Sequence, residues 1–432
     1  MRLALARIAL FLLVLAASAP AAGPVRAEWT ILYYDKDGRL VGMRRSDGDG
    51  SASNPEAADP GAPKDGTAVI ARTPVERFEP DELLVADPPK GFEASVRLLG
   101  FSIIEKVSLR ALALRVYRLR IPQGSTVPDA LTRLRRQFPG VTVDANHVFD
   151  PSGLSRTPEI HARAVMGWNA AGADCGRGVR LGVVDGAVDV EHPALAGQKV
   201  DYRSFHAPGH RPGAIQHGTA IAAMMVGKGP WGGLLPAAQL KAANIFEMNK
   251  SGKVTANVFG LLKAVDWLVR ERVHVLNLSV AGSNNEVLGQ VLDKARKHGF
   301  LMVAAAGNGG SAAAPAYPAA YDYVIAVTAV DARRRIYPHA NRGPYIDFAA
   351  PGVNIWTAVP GGGRVQSGTS FAAPYVSVLT ALEAARGAAR DAASARARLR
   401  AHVVDLGEPG RDRVFGWGLV KLARDCEGPA RG

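Results

Sequence analysis

Residues 367–374 read SGTSFAAP and open an apolar segment that continues towards Glu383. The pattern predicts a helix that begins near Ser370, because Pro374 then lies in the first turn, where proline is tolerated. The unpaired N–H groups of that turn and the positive end of the helix dipole favour an anion beside Ser370. Taken alone, a serine at this place is also typical of a helix N-terminus with a local hydrogen bond.

Three other polar residues follow or open apolar elements in the same way. The apolar run 181–184 predicts a strand that ends at Asp185, and a buried carboxylate there needs a partner. His217 opens a helix of small residues, and Asn308 lies in a glycine-rich turn after a strand. Taken singly, these are a strand-end aspartate, a helix N-terminal histidine and a turn asparagine.

Together the four residues supply the groups that acyl transfer needs. A serine hydroxyl is a poor nucleophile until a base takes its proton, and His217 is the candidate base for Ser370. Asp185 would orient the imidazole, and Asn308 would donate a hydrogen bond to the oxyanion. A serine esterase of the α/β-hydrolase type is the alternative, but the chain has no Gly-x-Ser-x-Gly elbow and its histidine precedes the serine.

Apolar strands alternate with helices from about Ile160 onwards. The predicted strands cover Val179–Val184, Val273–Leu278, Phe300–Ala304 and Val324–Val330, and the predicted helices cover Val254–Arg270 and Asn285–His298. This alternation is typical of an α/β domain with a mainly parallel sheet. Functional groups are then expected at the carboxyl ends of the strands, which agrees with the places of Asp185 and Asn308.

The first 156 residues divide into three segments. Residues 1–27 predict a signal peptide, because arginines precede an apolar run of twelve residues (Ile8–Ala19) that is too short to span a bilayer comfortably. Residues 28–77 are rich in Asp, Gly, Ala and Pro and predict a flexible linker. Residues 78–156 show the order strand–helix–strand–strand–helix–strand, a small α+β unit of the ferredoxin-like type. We therefore expect export to the periplasm or beyond, with a short membrane anchor as the alternative.

The composition narrows the class of protein further. The chain has 432 residues, of which 47% are hydrophobic, and this balanced composition excludes a collagen and a coiled coil. Its two cysteines are too few for a disulfide scaffold. Export permits a disulfide between Cys175 and Cys426, and two unpaired thiols are the alternative. The net charge is +13, of which +10 falls on residues 157–432. Arg386–Arg400 is expected to be a solvated face of a late helix, and no nucleic-acid motif accompanies it.

The four stretches, with Asp185, His217 and Ser370 in this chain order, resemble the subtilase family of serine proteases. The resemblance covers about Ile160–Leu422 and includes the further stretches GLLPAA (233–238), NLSV (277–280), FAAPG (348–352) and GRDRVFGWG (410–418). It implies a subtilisin-like three-layer α/β domain over residues 157–432 and an endopeptidase with Ser370, His217, Asp185 and Asn308 as catalytic residues. No cofactor is then required, and we expect a monomer that acts on proteins or peptides.

The resemblance also implies a binding cleft for the substrate backbone, which would add to it as a strand. The residues implied are Ser279, Val280, Ala281, Ala305, Ala306 and Gly307, with Ala316 at the floor of a pocket for small to medium apolar side chains. Relatives have Ser or Thr and then Gly after the catalytic Asp, where this chain has Gly186 and Ala187, and we expect the change to be tolerated. Ala194 replaces a carboxylate and the loop Val226–Leu235 is short, so we expect no high-affinity calcium there.

The unit 78–156 resembles a subtilase propeptide in element order and in its place before the catalytic domain. It would assist folding, inhibit the enzyme by occupying the cleft, and be removed by autocleavage near Phe149–Arg156. A permanent accessory domain is the alternative to a propeptide. For the whole chain, a catalytically silent subtilase-fold binding or chaperone-like protein is the alternative to a protease.

Overall fold

The computed structural model describes residues 78–149, 162–168, 172–228, 231, 233–248 and 253–422, and the backbone of three strands before them. The chain forms two compact units, residues 1–73 and 74–432. In the first unit, β1 (Trp29–Tyr34) pairs antiparallel with β2 (Leu40–Arg45) and β3 (Thr67–Arg72). This sheet differs from the flexible linker expected over residues 28–77. Its strands are rich in β-branched and aromatic residues, which favour extended backbone.

An α+β subdomain, residues 78–149, opens the second unit. Its elements are β4 (Phe78–Ala86), α1 (Phe92–Leu98), β5 (Ser102–Leu109), β6 (Leu114–Arg120), α2 (Val127–Gln137) and β7 (Thr142–Phe149). The antiparallel sheet has the order β7-β4-β6-β5, which is the ferredoxin-like arrangement that the element order predicts. Both helices cover one face of this sheet, where Phe92, Leu119 and Leu134 are buried in a common core.

A larger α/β domain follows. Its strands are β8 (Arg180–Asp185), β9 (Val200–Ser204), β10 (Arg211–Pro212), β11 (Gln239–Asn244), β12 (Phe246–Met248), β13 (Val254–Asn257), β14 (Val275–Leu278), β15 (Leu301–Ala305), β16 (Ile325–Val330), β17 (Phe348–Pro351), β18 (Ile355–Val359), β19 (Gly362–Gln366), β20 (Val403–Val404) and β21 (Leu419–Val420). Its helices are α3 (Ala162–Met166), α4 (Ile215–Val226), α5 (Val258–Arg270), α6 (Glu286–Lys297), α7 (Thr369–Ala385) and α8 (Ala392–Arg400).

The central sheet has nine strands in the order β20-β21-β17-β16-β15-β14-β8-β11-β9. All pairs are parallel except β20 with β21. Helices α4 and α7 share one hydrophobic core with one face of the sheet, and α5 and α6 share another with the opposite face. The domain is therefore a three-layer α/β fold, and its buried parallel strands are the apolar runs seen in the sequence.

Two predicted helices are shorter in the structure. Val254–Asn257 is strand β13, because Asn257 is extended and its side chain accepts the Gly260 N–H, so that α5 begins only at Val258. Residues 386–391 are not helical either. Asp391 and Ser394 form a reciprocal capping box that fixes the start of α8 at Ala392.

Candidate active site

Asp185 and His217 meet at the carboxyl end of the central sheet. Asp185 is the last residue of β8 and His217 lies in the first turn of α4, and both side chains are buried. The imidazole Nδ1 lies 2.7 Å from Asp185 Oδ1. An ionised carboxylate only accepts, so this contact places the proton of a neutral imidazole on Nδ1 and leaves Nε2 as an acceptor.

Ser370 completes the relay. It is the second residue of α7 and is fully buried, and its Oγ lies 2.9 Å from His217 Nε2. The Phe371 ring packs against the imidazole with a centroid distance of 5.0 Å. The hydroxyl can therefore donate to an unprotonated ring nitrogen, which is the geometry that general-base activation of a serine needs.

Glycines allow the aspartate turn to approach the histidine helix. A Cβ at Gly186 would lie 2.3 Å from the carbonyl oxygen of Ala214, and one at Gly218 would lie 2.4 Å from that of Ala187. Backbone contacts backbone here, so a side chain at residue 186 would separate Asp185 from His217. Gly186 donates its N–H to Asp185 Oδ1 at 2.5 Å, while the buried Oδ2 has no hydrogen-bond partner within the described residues.

Asn308 is hydrogen-bonded to the residue before Ser370, and this contact orients its amide group. Its Oδ1 accepts hydrogen bonds from both the backbone N–H and the hydroxyl of Thr369, each at 3.0 Å. This fixes which end of the side chain is the donor, and Nδ2 is buried without a partner in the described part of the chain. A buried, unpartnered donor next to a serine nucleophile is suited to a negative oxygen that forms during reaction.

The predicted backbone-binding segments follow two neighbouring strands. Ser279, Val280 and Ala281 come directly after β14, and the segment 305–307 ends β15 and continues past it. Ser279 is buried and its Oγ accepts from the amide of Asn277 at 2.7 Å. The structure thus places both segments at the sheet edge that holds Asp185, and their role in binding a substrate backbone stays a prediction.

Ala316 borders the second of these segments. A Cβ at Gly307, whose φ is +100°, would lie 2.9 Å from Ala316 Cβ, so the two residues are in direct contact. Two polar residues that the sequence analysis missed contact this region, the half-buried Tyr345 and the buried Asn341. Tyr345 donates its hydroxyl to the Ala306 carbonyl at 2.7 Å, and Asn341 accepts from Gly309 N–H at 2.7 Å. Neither residue belongs to a recognisable motif, so only the fold brings them to this place.

The last strand of the N-terminal subdomain enters the α/β domain. At the end of β7, Val148 and Phe149 pair antiparallel with Asn257 and Ala256 of β13. The Phe149 ring is fully buried and lies against Gly282, where a Cβ would come within 2.5 Å of it. Val148 and Phe149 of the subdomain therefore lie between the edge of β13 and the segment after Ser279.

Polar contacts attach the subdomain to α5 and α6. Asn285, the N-cap of α6, donates from Nδ2 to the Ala145 carbonyl at 2.9 Å and to His147 Nδ1 at 2.8 Å. Asp144 accepts the first N–H of α6, from Glu286, at 2.7 Å. These partners are largely buried, so the subdomain is docked by specific hydrogen bonds as well as by apolar packing.

Around Ala194 and the loop Val226–Leu235, the absence of high-affinity calcium stays a prediction. Ala194 offers a methyl group instead of a carboxylate. The carbonyl oxygens of the neighbouring loop are engaged by protein donors: Gln198 Nε2 donates to Val226 and Pro236, and the Arg163 guanidinium donates to Gly233 at 2.6 Å. Within the described residues, no cluster of three or more His, Cys, Asp or Glu side chains could hold a metal.

Two further predictions reach beyond the described residues. Cys175 is buried, but Cys426 lies outside the described part, so their pairing stays a prediction. The signal peptide (1–27) and the processing segment after Phe149 also lie outside it. Among the residues that the structure describes, no helix has the length and hydropathy needed to cross a membrane.

Comparison with known proteins agrees with this geometry. The profile described as "Subtilase family" matches residues 176–418. Subtilisin DY of Bacillus licheniformis is 31% identical over 274 residues, which cover 61% of this chain and 95% of that protein. Minor extracellular protease Epr of Bacillus subtilis is 32% identical over 254 residues, or 57% of this chain, and the match spans only 38% of Epr.

Solved structures support the fold. Fervidolysin of Fervidobacterium pennivorans has a TM-score of 0.67 at 22% identity, covering 82% of this chain and 62% of that one. The epidermin leader peptide processing protease of Staphylococcus aureus has a TM-score of 0.61 at 16% identity, covering 82% of this chain and 99% of that one. Both likenesses therefore extend beyond the part that the family profile matches.

Proposed function

The chain belongs to the subtilase family of serine endopeptidases, and we propose that Ser370, His217 and Asp185 are its catalytic triad, with Asn308 in the oxyanion hole. The observation that carries this proposal is the continuous hydrogen-bonded relay from Asp185 Oδ1 through His217 to Ser370 Oγ. A catalytically silent binding protein would have no need of this relay or of the unpartnered Asn308 amide beside it.

In the proposed mechanism, His217 Nε2 takes the Ser370 proton as Oγ bonds to the carbonyl carbon of the substrate. The carbonyl oxygen becomes an oxyanion, which accepts hydrogen bonds from Asn308 Nδ2 and from the first turn of α7. Asp185 stabilises the imidazolium and holds its orientation. The imidazolium then gives its proton to the leaving amine, which departs and leaves an acyl-enzyme. Water, deprotonated by His217, attacks the acyl group and releases the second product and Ser370.

The proposed substrates are proteins or peptides bound as an extended strand. The edge of β13 and the segment after Ser279 form two walls for such a strand, and β7 pairs with β13 in this way. Backbone hydrogen bonds would supply the affinity, and shallow side-chain sites would give modest preference. Contact of Ala316 with Gly307 restricts the pocket beside it and supports a preference for small to medium apolar side chains.

We also propose that residues 78–156 are a propeptide that inhibits the enzyme within the same chain and is removed by autocleavage. The support is the buried Phe149 at the β13 edge and two hydrogen bonds across the interface, in which Asn285 donates to Ala145 and Asp144 accepts from the Glu286 N–H. Export of the zymogen, with loss of residues 1–27, completes the proposal. The name of Epr describes an extracellular protease, which agrees with export. The proposed enzyme acts as a monomer and needs neither calcium nor another cofactor.

The test compares the purified full chain with its Ser370→Ala variant on a peptide library and on simple esters. The proposal expects the active chain to lose residues 78–156 and then to cleave peptides, whereas Ser370→Ala does neither. Mass spectrometry of the chain termini over time shows where and when each cleavage occurs. Loss of the subdomain by the isolated Ser370→Ala protein would contradict autocleavage, and turnover of esters without peptides would favour an esterase.

A further inference from the structure

A wide cavity lies at the amino end of the central sheet, on the side opposite the triad. Its volume is about 790 Å³, within the range of pockets that hold small organic ligands rather than single ions. It is bordered by the starts of β8 and β15, by the ends of α5, α6 and α7, and by Ala111 of the N-terminal subdomain. We call this cavity the basic basin.

The wall of the basic basin carries one sign of charge. Four arginines line it (Arg180, Arg270, Arg272 and Arg390), together with His274 and His298, and its described lining contains no Asp or Glu. Arg270 pairs with Asp266 at 3.2 Å. The Arg180 Nε donates to the Arg272 carbonyl at 2.7 Å. Within the described part, the guanidinium groups of Arg272 and Arg390 contact no protein acceptor, so their donors face the basin or solvent.

The ends of three helices account for only part of this charge. Basic residues at helix C-termini offset the helix dipoles, and each of α5, α6 and α7 brings about half a negative charge to the basin. That amounts to roughly one and a half charges. Arg270 is neutralised by Asp266, and the three remaining arginines still carry more positive charge than the three helix ends carry negative charge. The excess positive charge is therefore not explained by stabilisation of the helices.

Arg272 also occupies a backbone position that favours glycine. Its φ is +51°, in the left-handed region, directly after the end of α5. Glycine is the usual residue there, because it has no Cβ to cause strain. An arginine at this place accepts a backbone strain that glycine would avoid, as do five other non-glycine residues of the described chain. Burial, and to a smaller extent the Arg180 charge, lower the pKa of His274 to about 4, so this imidazole is neutral near pH 7 and the arginines carry the positive charge of the wall.

We propose that the basic basin binds the phosphate groups of a polyanionic ligand. Guanidinium groups match phosphate oxygens with paired, charge-assisted hydrogen bonds, and Arg180, Arg272 and Arg390 supply them from three separate elements. The size of the cavity and the number of unpaired guanidinium groups favour a ligand with several phosphates over a single inorganic phosphate. Soluble polyphosphates and lipid headgroups both present phosphates of this kind, and the experiment below separates the two sources.

The position of the basin gives this binding a consequence for the enzyme. Arg180 and Asp185 are the first and last residues of β8, so basin and triad are about 16 Å apart along one strand. If the basic basin held the chain on an anionic surface, the carboxyl edge of the sheet and its cleft would thus face away from that surface. The inference does not depend on catalysis and holds for an inactive chain as well.

The experiment uses the full chain with Ser370→Ala, which prevents self-digestion. Sodium tripolyphosphate is titrated into the protein and its binding followed by calorimetry at a salt concentration of about 0.1 M. Co-sedimentation then compares binding to phosphatidylglycerol vesicles with binding to phosphatidylcholine vesicles. The test variant is the double substitution Arg272→Gln and Arg390→Gln. A second test variant, Arg390→Gln alone, leaves Arg272 and its positive φ unchanged. Arg333→Gln, at an exposed arginine outside the basin, is the matched control.

We expect saturable binding of tripolyphosphate that weakens at least tenfold in the double variant, less in Arg390→Gln, and not at all in the control. Each variant should melt within a few degrees of its parent without ligand. Binding of phosphatidylglycerol vesicles that tripolyphosphate displaces would identify lipid headgroups as a second source. Failure of both probes to bind, or equal weakening by Arg333→Gln, would overturn the proposal.

Discussion

Replacing Asn285 by Ala should release the N-terminal subdomain from the α/β domain. The Asn285 side chain is fully buried and has two roles: Oδ1 caps α6 through Leu288 N–H at 2.9 Å, and Nδ2 donates to Ala145 and His147 across the interface. Loss of the cap costs about 1 kcal/mol and acts on α6. Loss of Nδ2 leaves two buried acceptors unpaired, at about 1–3 kcal/mol each.

Taking the lower part of that range, because water can enter the vacated space, docking of the subdomain weakens by about 2–4 kcal/mol. Amide hydrogen exchange in full-length Ser370→Ala measures this opening directly. The amides of β7 should exchange about 30- to 700-fold faster after Asn285→Ala. The matched control is Asp391→Ala, which removes the N-cap of α8 far from the interface and should leave β7 unchanged.

Two results would refute the reasoning. If exchange accelerates in α6 alone, Asn285 acts only as a helix cap and the interface contacts carry no docking energy. If all amides of the chain accelerate equally, the substitution has destabilised the whole unit, and selective release is wrong. The proposed autoinhibition requires the predicted outcome, in which the amides of β7 open ahead of the central sheet.

Three further predictions concern the active site and the sheet. Asn308→Leu should lower kcat about 10²–10³-fold with little change in KM, as steady-state kinetics on a peptide substrate would show, because the donor acts on the oxyanion and not on bound substrate. Gly186→Ser should lower both activity and Tm, since its Cβ would meet Ala214, whereas Gly172→Ser, which opens into free space, should change neither. Finally, His274 has a folded pKa of about 4, below its unfolded value, so the unfolded chain binds more protons between pH 4 and 6.5 and stability falls on acidification. His274→Gln should flatten the Tm profile in that window.

The sequence was a good guide to the parts of the molecule that depend on local pattern. Parallel strands buried on both faces read as short apolar runs, and β8, β14, β15 and β16 lie within two residues of their predicted bounds. The polar residues predicted at the strand and helix ends converge because the carboxyl ends of parallel strands share one edge. The proximity of Asp185, His217 and Ser370 therefore follows from topology once the α/β fold is accepted.

The misses arose where tertiary contacts decide local structure. Val254–Asn257 continues the helical periodicity of α5, yet it is extended because pairing with β7 and β12 satisfies its backbone. Tyr345 and Asn341 support the pocket segments from a loop with no sequence signature. The close approach of Gly186 to Ala214 likewise appears only in three dimensions.

The central claim is that Ser370 is a nucleophile activated by His217. The most direct measurement is the reaction with a fluorophosphonate probe after the same added protease has removed residues 78–156 from both the chain and its His217→Ala variant, followed by mass spectrometry of the labelled peptide. We predict one adduct, on Ser370, with labelling reduced at least a thousandfold in His217→Ala because the hydroxyl then keeps its proton. Equal labelling of the two proteins, or an adduct on another serine, would contradict the claim.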